Sequence, residues 1–301
     1  MLDCLIVGAG PAGLTAAIYL ARFHLKVGII DAGKSRALLI PETHNHAGYP
    51  DGISGAALLD RIRQQAVQYG AEIWNGYVSK IERGNDHFIV TYDDSAMSAR
   101  TVLLATGVVN RRPDIDDDLH DEALAKGLLR YCPICDGFEV SDQNVAVIGT
   151  GEHGLNEAEF LRSYTKDISL ISPDWAHNLD TGQYEKAQKL GINLCDGPAK
   201  ILGIINSEIV VTTAKGEHAF KSVYPALGSD VNNQLANAIG VKCNAEDGIV
   251  VDAHQRTSVS GVYAAGDVVI GLDQISHAMG EGGVAAVAIR NDLAERSPLL
   301  R

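Results

Sequence analysis

The chain has 301 residues, 46% of them hydrophobic and 21% charged, which suits a globular protein with room for two domains. Its 38 acidic against 25 basic residues give a formal charge of −13, which argues against nucleic acid or an anionic membrane as partner. No run approaches the roughly 20 apolar residues of a membrane span, and no basic leader precedes the first apolar segment, so a cytoplasmic protein is expected.

The chain opens on an apolar strand, Leu2 to Val7, followed by Gly8-Ala9-Gly10-Pro11-Ala12-Gly13 and a helical run from Leu14 to Phe23. A second strand, Val27 to Ile30, ends in Asp31. Strand, Gly-x-Gly-x-x-Gly, helix, strand and acid form the full dinucleotide-binding context. Gly8 makes the tight turn, Gly10 admits a pyrophosphate, and Gly13 lets helix pack on strand. Pro11 fits the first helical turn, where its missing N–H costs nothing. Asp31 can accept from a ribose hydroxyl.

Further on, the acidic run from Asp114 to Glu122 reads as a solvated loop. Tyr131-Cys132-Pro133-Ile134-Cys135-Asp136-Gly137 comes next. Cysteines three apart share one face of a helical turn and are close enough to join. With Cys132 as cap and Pro133 in the first turn, the helix dipole favours a thiolate, as thiol–disulfide exchange requires. Asp136 beside the second sulfur is a candidate proton donor and acceptor. Two other readings compete. Zinc would need a second such pair, which the chain lacks, so no metal is expected. Structural cysteines are the other. Cys4, Cys195 and Cys243 stand alone and read as small buried or structural residues.

A second dinucleotide pattern follows: strand Val145 to Ile148, turn Gly149-Thr150-Gly151-Glu152-His153-Gly154, helix Leu155 to Tyr164, strand Ile168 to Ile171. Two such units in one chain suggest electrons handed between two cofactors. Gly149, Gly151 and Gly154 mark a possible second nucleotide site, but its surroundings suit one poorly. Ser172-Pro173-Asp174 offers no cation for a 2′-phosphate, and Asp174 comes late. Glu152 at the helix start would repel a pyrophosphate. NADPH is disfavoured and NADH unsupported.

The Gly8–Gly13 turn, Ala105-Thr106-Gly107, Cys132 to Gly137, the second Gly turn and Val262-Tyr263-Ala264-Ala265-Gly266-Asp267 occur in the order of the low-molecular-weight thioredoxin reductases, which the chain resembles end to end. The resemblance implies an α/β fold of two Rossmann-like domains, the second inserted into the first. Residues 1–111 and 243–301 would form an FAD domain, and 112–242 a nucleotide-type domain carrying the cysteines. It also implies that Ala105, Thr106, Gly107, Gly266 and Asp267 contact FAD, with Asp267 on the ribityl chain. Asn45 would lie near the flavin ring, and the backbone of Gln274 and Ile275 would face its pyrimidine edge. Cys135 would face the flavin, Cys132 would attack the partner's disulfide, and Asp136 would be the acid/base group. Partners implied are a thioredoxin-like protein or small disulfide, with a homodimer as the assembly.

Four features depart from the family pattern. They are the poor second nucleotide site, His46-Ala47 for an aromatic-proline pair, Pro133 between the cysteines, and His277 past the flavin contact. His277 reads as a helix hydrogen-bonder rather than a catalyst. Relatives that have lost pyridine nucleotides, some taking electrons from ferredoxin, keep that donor open. Beside the disulfide reductase stand two alternatives: a dithiol oxidase using oxygen, and a non-enzymatic flavin redox sensor or electron carrier.

Overall fold

The computed structural model describes residues 1–300. β1 (Leu2–Val7) is buried along its last four residues and sits inside a seven-stranded sheet. β2 (Val27–Asp31) and β3 (Glu72–Asn75) follow it in parallel, with α1 (Pro11–Arg22) and α2 (Gly55–Gln68) as crossovers. β4 (Val78–Arg83), β5 (Phe88–Tyr92) and β6 (Ser95–Leu104) form an antiparallel meander whose last strand returns parallel to β1. β7 (Val108–Asn110) then carries the chain out of this sheet.

The next stretch builds a second α/β layer. α3 (Asp117–Ala125) and the short α4 (Pro133–Asp136) precede β8 (Val145–Ile148), α5 (Gly151–Leu161), β9 (Ile168–Ile171), α6 (Thr181–Leu190) and β10 (Asn193–Cys195). β11 (Lys200–Ile205), β12 (Glu208–Thr213) and β13 (Gly216–Phe220) make a separate antiparallel sheet. β14 (Ser222–Pro225) completes the parallel order β10-β9-β8-β14. β15 (Ser229–Val231) runs back antiparallel to β7, pairing Ser229 with Asn110, and α7 (Gln234–Ala238) follows. Finally β16 (Val262–Ala264) adds to the first sheet beside β6, and α8 (Ile275–Arg296) lies against α1.

β2, β8, β9 and β14 are buried along their whole length, as parallel strands covered by helices must be. The α1–α8 crossing is close because Gly282 has no side chain; a Cβ there would run into the Ala12 backbone. Gly8 holds φ +103° and its α-carbon faces the Ala105 carbonyl, so the turn after β1 is pinned against the end of β6.

The acidic run differs from the expected loop. Asp116 caps α3 by accepting from the Asp118 and Leu119 amides, and Asp117 and Asp118 sit in its first turn. Carboxylates at that end favour the helix dipole, while His120, Ala123 and Leu124 supply a buried face. Cys4 and Cys195 are buried as expected, whereas Cys243 is partly exposed.

Candidate active site

Cys132 and Cys135 form a disulfide across the start of α4, with Cα atoms 5.3 Å apart. Cys132 is the cap residue and Pro133 the first helical residue, so the chain needs no amide at that position. The Gln274 side chain from the start of α8 reaches the pair: its Nε2 donates to Cys132 Sγ at 3.3 Å and Cys135 Sγ at 3.2 Å. Asn45 Nδ2 donates in turn to Gln274 Oε1 at 3.0 Å and to the Ile134 carbonyl at 3.4 Å. The Thr43 hydroxyl donates to Asn45 Oδ1 at 2.9 Å.

Asp136 points into the second layer. Tyr224, fully buried on β14, donates its hydroxyl to Oδ1 at 2.9 Å, and Arg130 Nη1 donates to Oδ2 at 3.0 Å. Burial raises the Asp136 pKa, while Arg130 and the Tyr224 hydrogen bond pull it down. Arg130 is itself fixed by the Gly127 carbonyl at 2.8 Å and Ser222 Oγ at 3.3 Å. Across the cleft, α5 presents His153, Asn156 and Glu157. Burial pushes the Glu157 carboxyl up to about 7.

A cleft of about 880 Å³ joins these groups to the first Gly turn. Gly8, Gly10, Pro11, Ala12, Asp31, Asn45, Ala105, Thr106, Gly107, Gly266, Asp267, Gln274 and Ile275 all line it, with Cys132, Cys135 and Asp136 at the other end. Gly13 lies one step behind, packed on Gly8. Only Ser35 Oγ approaches the space in front of Gly10. That opening, beside the unpartnered first-turn amides of α1, suits a pyrophosphate. Asp31 already accepts from the Ala9 and Gly33 amides and from Arg63, which fixes its carboxylate at the cleft wall. Asp267 is paired with Arg36 at 2.7 Å, and Arg36 also reaches Asp273 at 3.1 Å. Buried Glu281 accepts from the Gly266 amide at 2.7 Å, and His277 bonds its other oxygen at 3.1 Å. His277 is therefore tied along its own helix. Gln274 N–H is bonded to the Leu272 carbonyl at 2.8 Å. The first-turn amides of α8 thus begin at Ile275 rather than being shared with Gln274. The residues present fit FAD.

The second Gly turn is covered by its own chain. Thr150 Oγ1 accepts from the Asn178 amide at 2.7 Å and bonds His177 Nδ1 at 3.3 Å. Buried His177 is anchored to the Leu170 carbonyl at 3.1 Å, and Ser172 Oγ donates to the Ala176 carbonyl at 3.4 Å. Gly149 packs against Gly154, and Gly151 lies beneath the Asn178 carbonyl. Glu152 stands exposed in the first turn of α5. The segment after β9 folds back onto the second Gly turn through Thr150, and it carries no lysine or arginine.

Residues 2–282 match the model of the pyridine nucleotide-disulphide oxidoreductases. The chain belongs to that family. A thioredoxin reductase of Mycolicibacterium smegmatis is 31% identical to it over 98% of this chain and 97% of its own length. One from Treponema pallidum is 32% identical over 95% of each chain. The solved thioredoxin reductase of Streptococcus pyogenes superposes with a TM-score of 0.88 at 28% identity, covering 98% of this chain and 99% of that one. The protein is thus an enzyme, an FAD-dependent disulfide oxidoreductase of the thioredoxin reductase type. Several residues of the site escaped the sequence reading. Tyr224 lies 88 residues from Asp136, and Arg36 lies 231 from Asp267, with no local pattern to connect them. Arg130, two residues before Cys132, is the one of these that stands near the cysteine motif in the chain.

Proposed function

We propose that the enzyme passes electron pairs from FAD to the Cys132–Cys135 disulfide and from the resulting dithiol to a disulfide of a thioredoxin-like protein or small molecule. The observation that carries this reading is the redox-active pair lying in one cleft with the Gly8–Gly13 turn and Asp267. Residues 1–111 and 243–301 form the FAD-binding domain in this reading, and 112–242 the inserted domain. The Gly8–Gly13 turn would hold the pyrophosphate of FAD, Asp31 its ribose and Asp267 its ribityl chain, and the bound flavin would supply two-electron chemistry.

In this reading Cys135 exchanges electrons with the cofactor and Cys132 attacks the partner. Asp136 is the acid/base group: burial favours its protonated form, and Tyr224 and Arg130 hold it in place. Ile134 and Phe138, exposed on either side of Cys135, offer an apolar platform to a protein substrate. Exposed Val284 and Val287 on α8 support a homodimer. A cytoplasmic location fits the absence of any helix long and apolar enough to cross a membrane among the described residues.

The electron donor is a reduced protein of ferredoxin type in this reading, not NADPH. The self-covered second turn and the missing cation support that choice. Anaerobic mixing of oxidised enzyme with NADPH, NADH or reduced ferredoxin tests it. Rapid flavin bleaching is expected with ferredoxin alone, and bleaching by NADPH refutes the choice. Reduced enzyme should then reduce thioredoxin faster than it reacts with oxygen.

A further inference from the structure

The polarity of the groups around the disulfide is set by one carbonyl. The Ile134 main-chain oxygen can only accept, so the Asn45 amide must turn Nδ2 toward it. The same Nδ2 donates to Gln274 Oε1 at 3.0 Å. The Gln274 amide is then committed to presenting its two N–H bonds to the sulfurs, 3.3 and 3.2 Å away. The opposite orientation would set Gln274 Oε1 against Asn45 Oδ1 or against sulfur lone pairs. Thr43 completes the arrangement at the far end by donating to Asn45 Oδ1.

We propose that the Gln274 side chain is a catalytic residue of this enzyme, the hydrogen-bond donor that stabilises the thiolate formed when the Cys132–Cys135 bond opens, with Asn45 as the positioning residue that aims it. The inference rests on the disulfide-reductase reading and adds to the backbone role that the family resemblance implies for Gln274. Two electrons delivered from the cofactor cleave the S–S bond; one sulfur takes a proton and the other keeps the negative charge. A neutral disulfide sulfur is a weak acceptor, whereas a thiolate is a strong one. The contact therefore strengthens on reduction and favours the dithiol state.

Other charges around the pair do not replace this donor. Arg130 is spent on Asp136, and Glu157 across the cleft would repel a thiolate when ionised, with His153 its partner at 3.5 Å. The α4 amides remain, but α4 is a single turn.

The test measures the thiols of the reduced holoenzyme directly. Alkylation of Cys132 by iodoacetamide is followed against pH, and the dithiol–disulfide equilibrium is read in dithiothreitol redox buffers, with flavin absorbance per chain as the loading control. Gln274→Leu should slow alkylation at pH 7 about tenfold by raising the thiol pKa about one unit. It should lower the reduction potential by about 30 mV, the equivalent of tenfold. Asn45→Leu leaves Gln274 in place and adds no charge but removes the donor that fixes its Oε1, and should move both readouts in the same direction by a smaller amount. If Gln274→Leu fails to load flavin, Asn45→Leu carries the test. Wild-type alkylation profiles and potentials in a flavin-loaded variant overturn the inference. A wild-type enzyme that fails to reduce thioredoxin would count against the proposed function alone, because alkylation needs no partner protein.

Discussion

At the scale of single residues, Asp136 shows how a carboxyl can be tuned by opposed neighbours. Burial raises its pKa while Arg130 and the Tyr224 hydroxyl lower it, so removing the cation leaves burial opposed by the Tyr224 hydrogen bond only. In Arg130→Met the pH at which Asp136 loses its proton moves up. If proton donation from Asp136 limits turnover, the alkaline limb of the rate profile moves up with it. A limb that stays put or moves down would remove Asp136 from that step. Asp136→Asn should cut thioredoxin reduction about 100-fold, within the range of general acid–base effects. Glu157 offers a stability counterpart. Its folded carboxyl titrates at about 7 against an ordinary 4.5, so the native state binds the proton more tightly between those values. Its stabilising effect is full below pH 4.5 and is lost as pH rises to 7. Glu157→Gln should flatten that dependence and raise stability at pH 8 by on the order of 2 kcal/mol, as read from urea unfolding. Equal slopes for variant and wild type would discount the burial effect.

Elements were legible in proportion to how local their signals were. β1, the Gly8–Gly13 turn, β2 and the second strand–turn–helix unit could be read because each carries its pattern within about thirty residues. The same holds for Cys132 at the head of a Pro133-opened turn. α3 departs from the loop that its run of charge implies, because Asp116 serves as its cap and Asp117 and Asp118 as its first turn. The antiparallel sheet β11–β13 gave no comparable signal, and neither did the Arg130–Asp136–Tyr224 contact, which joins three elements. The α1–α8 crossing is the element most exposed to a single change. Gly282→Val forces a side chain into the Ala12 backbone, at a cost of about 1–3 kcal/mol for overpacking. Because Ala12 belongs to the Gly8–Gly13 turn proposed to hold the pyrophosphate, FAD content of the purified variant should fall together with its melting temperature. Full flavin loading would show that the helices can part without disturbing the turn.

For the whole molecule, the acidic charge and the exposed apolar side chains divide recognition between them. A net charge of −13 sets a long-range repulsion for acidic partners, while Ile134 and Phe138 offer contact area at the disulfide. Phe138→Ala should lower kcat/KM for a thioredoxin-like substrate about tenfold and leave reduction of a small aromatic disulfide unchanged. Equal losses for both substrates would place Phe138 in the fold rather than at the docking face. The order of strands also governs how the protein is made. β16 and α8 belong to the layer that β1 opens, yet they lie at the far end of the chain. On the ribosome, β8 to β15 emerge with every partner they need, while the earlier layer waits with the small-residue face of α1 uncovered. Chaperone protection should therefore matter most to that waiting face, and a nascent chain arrested before residue 262 would display it.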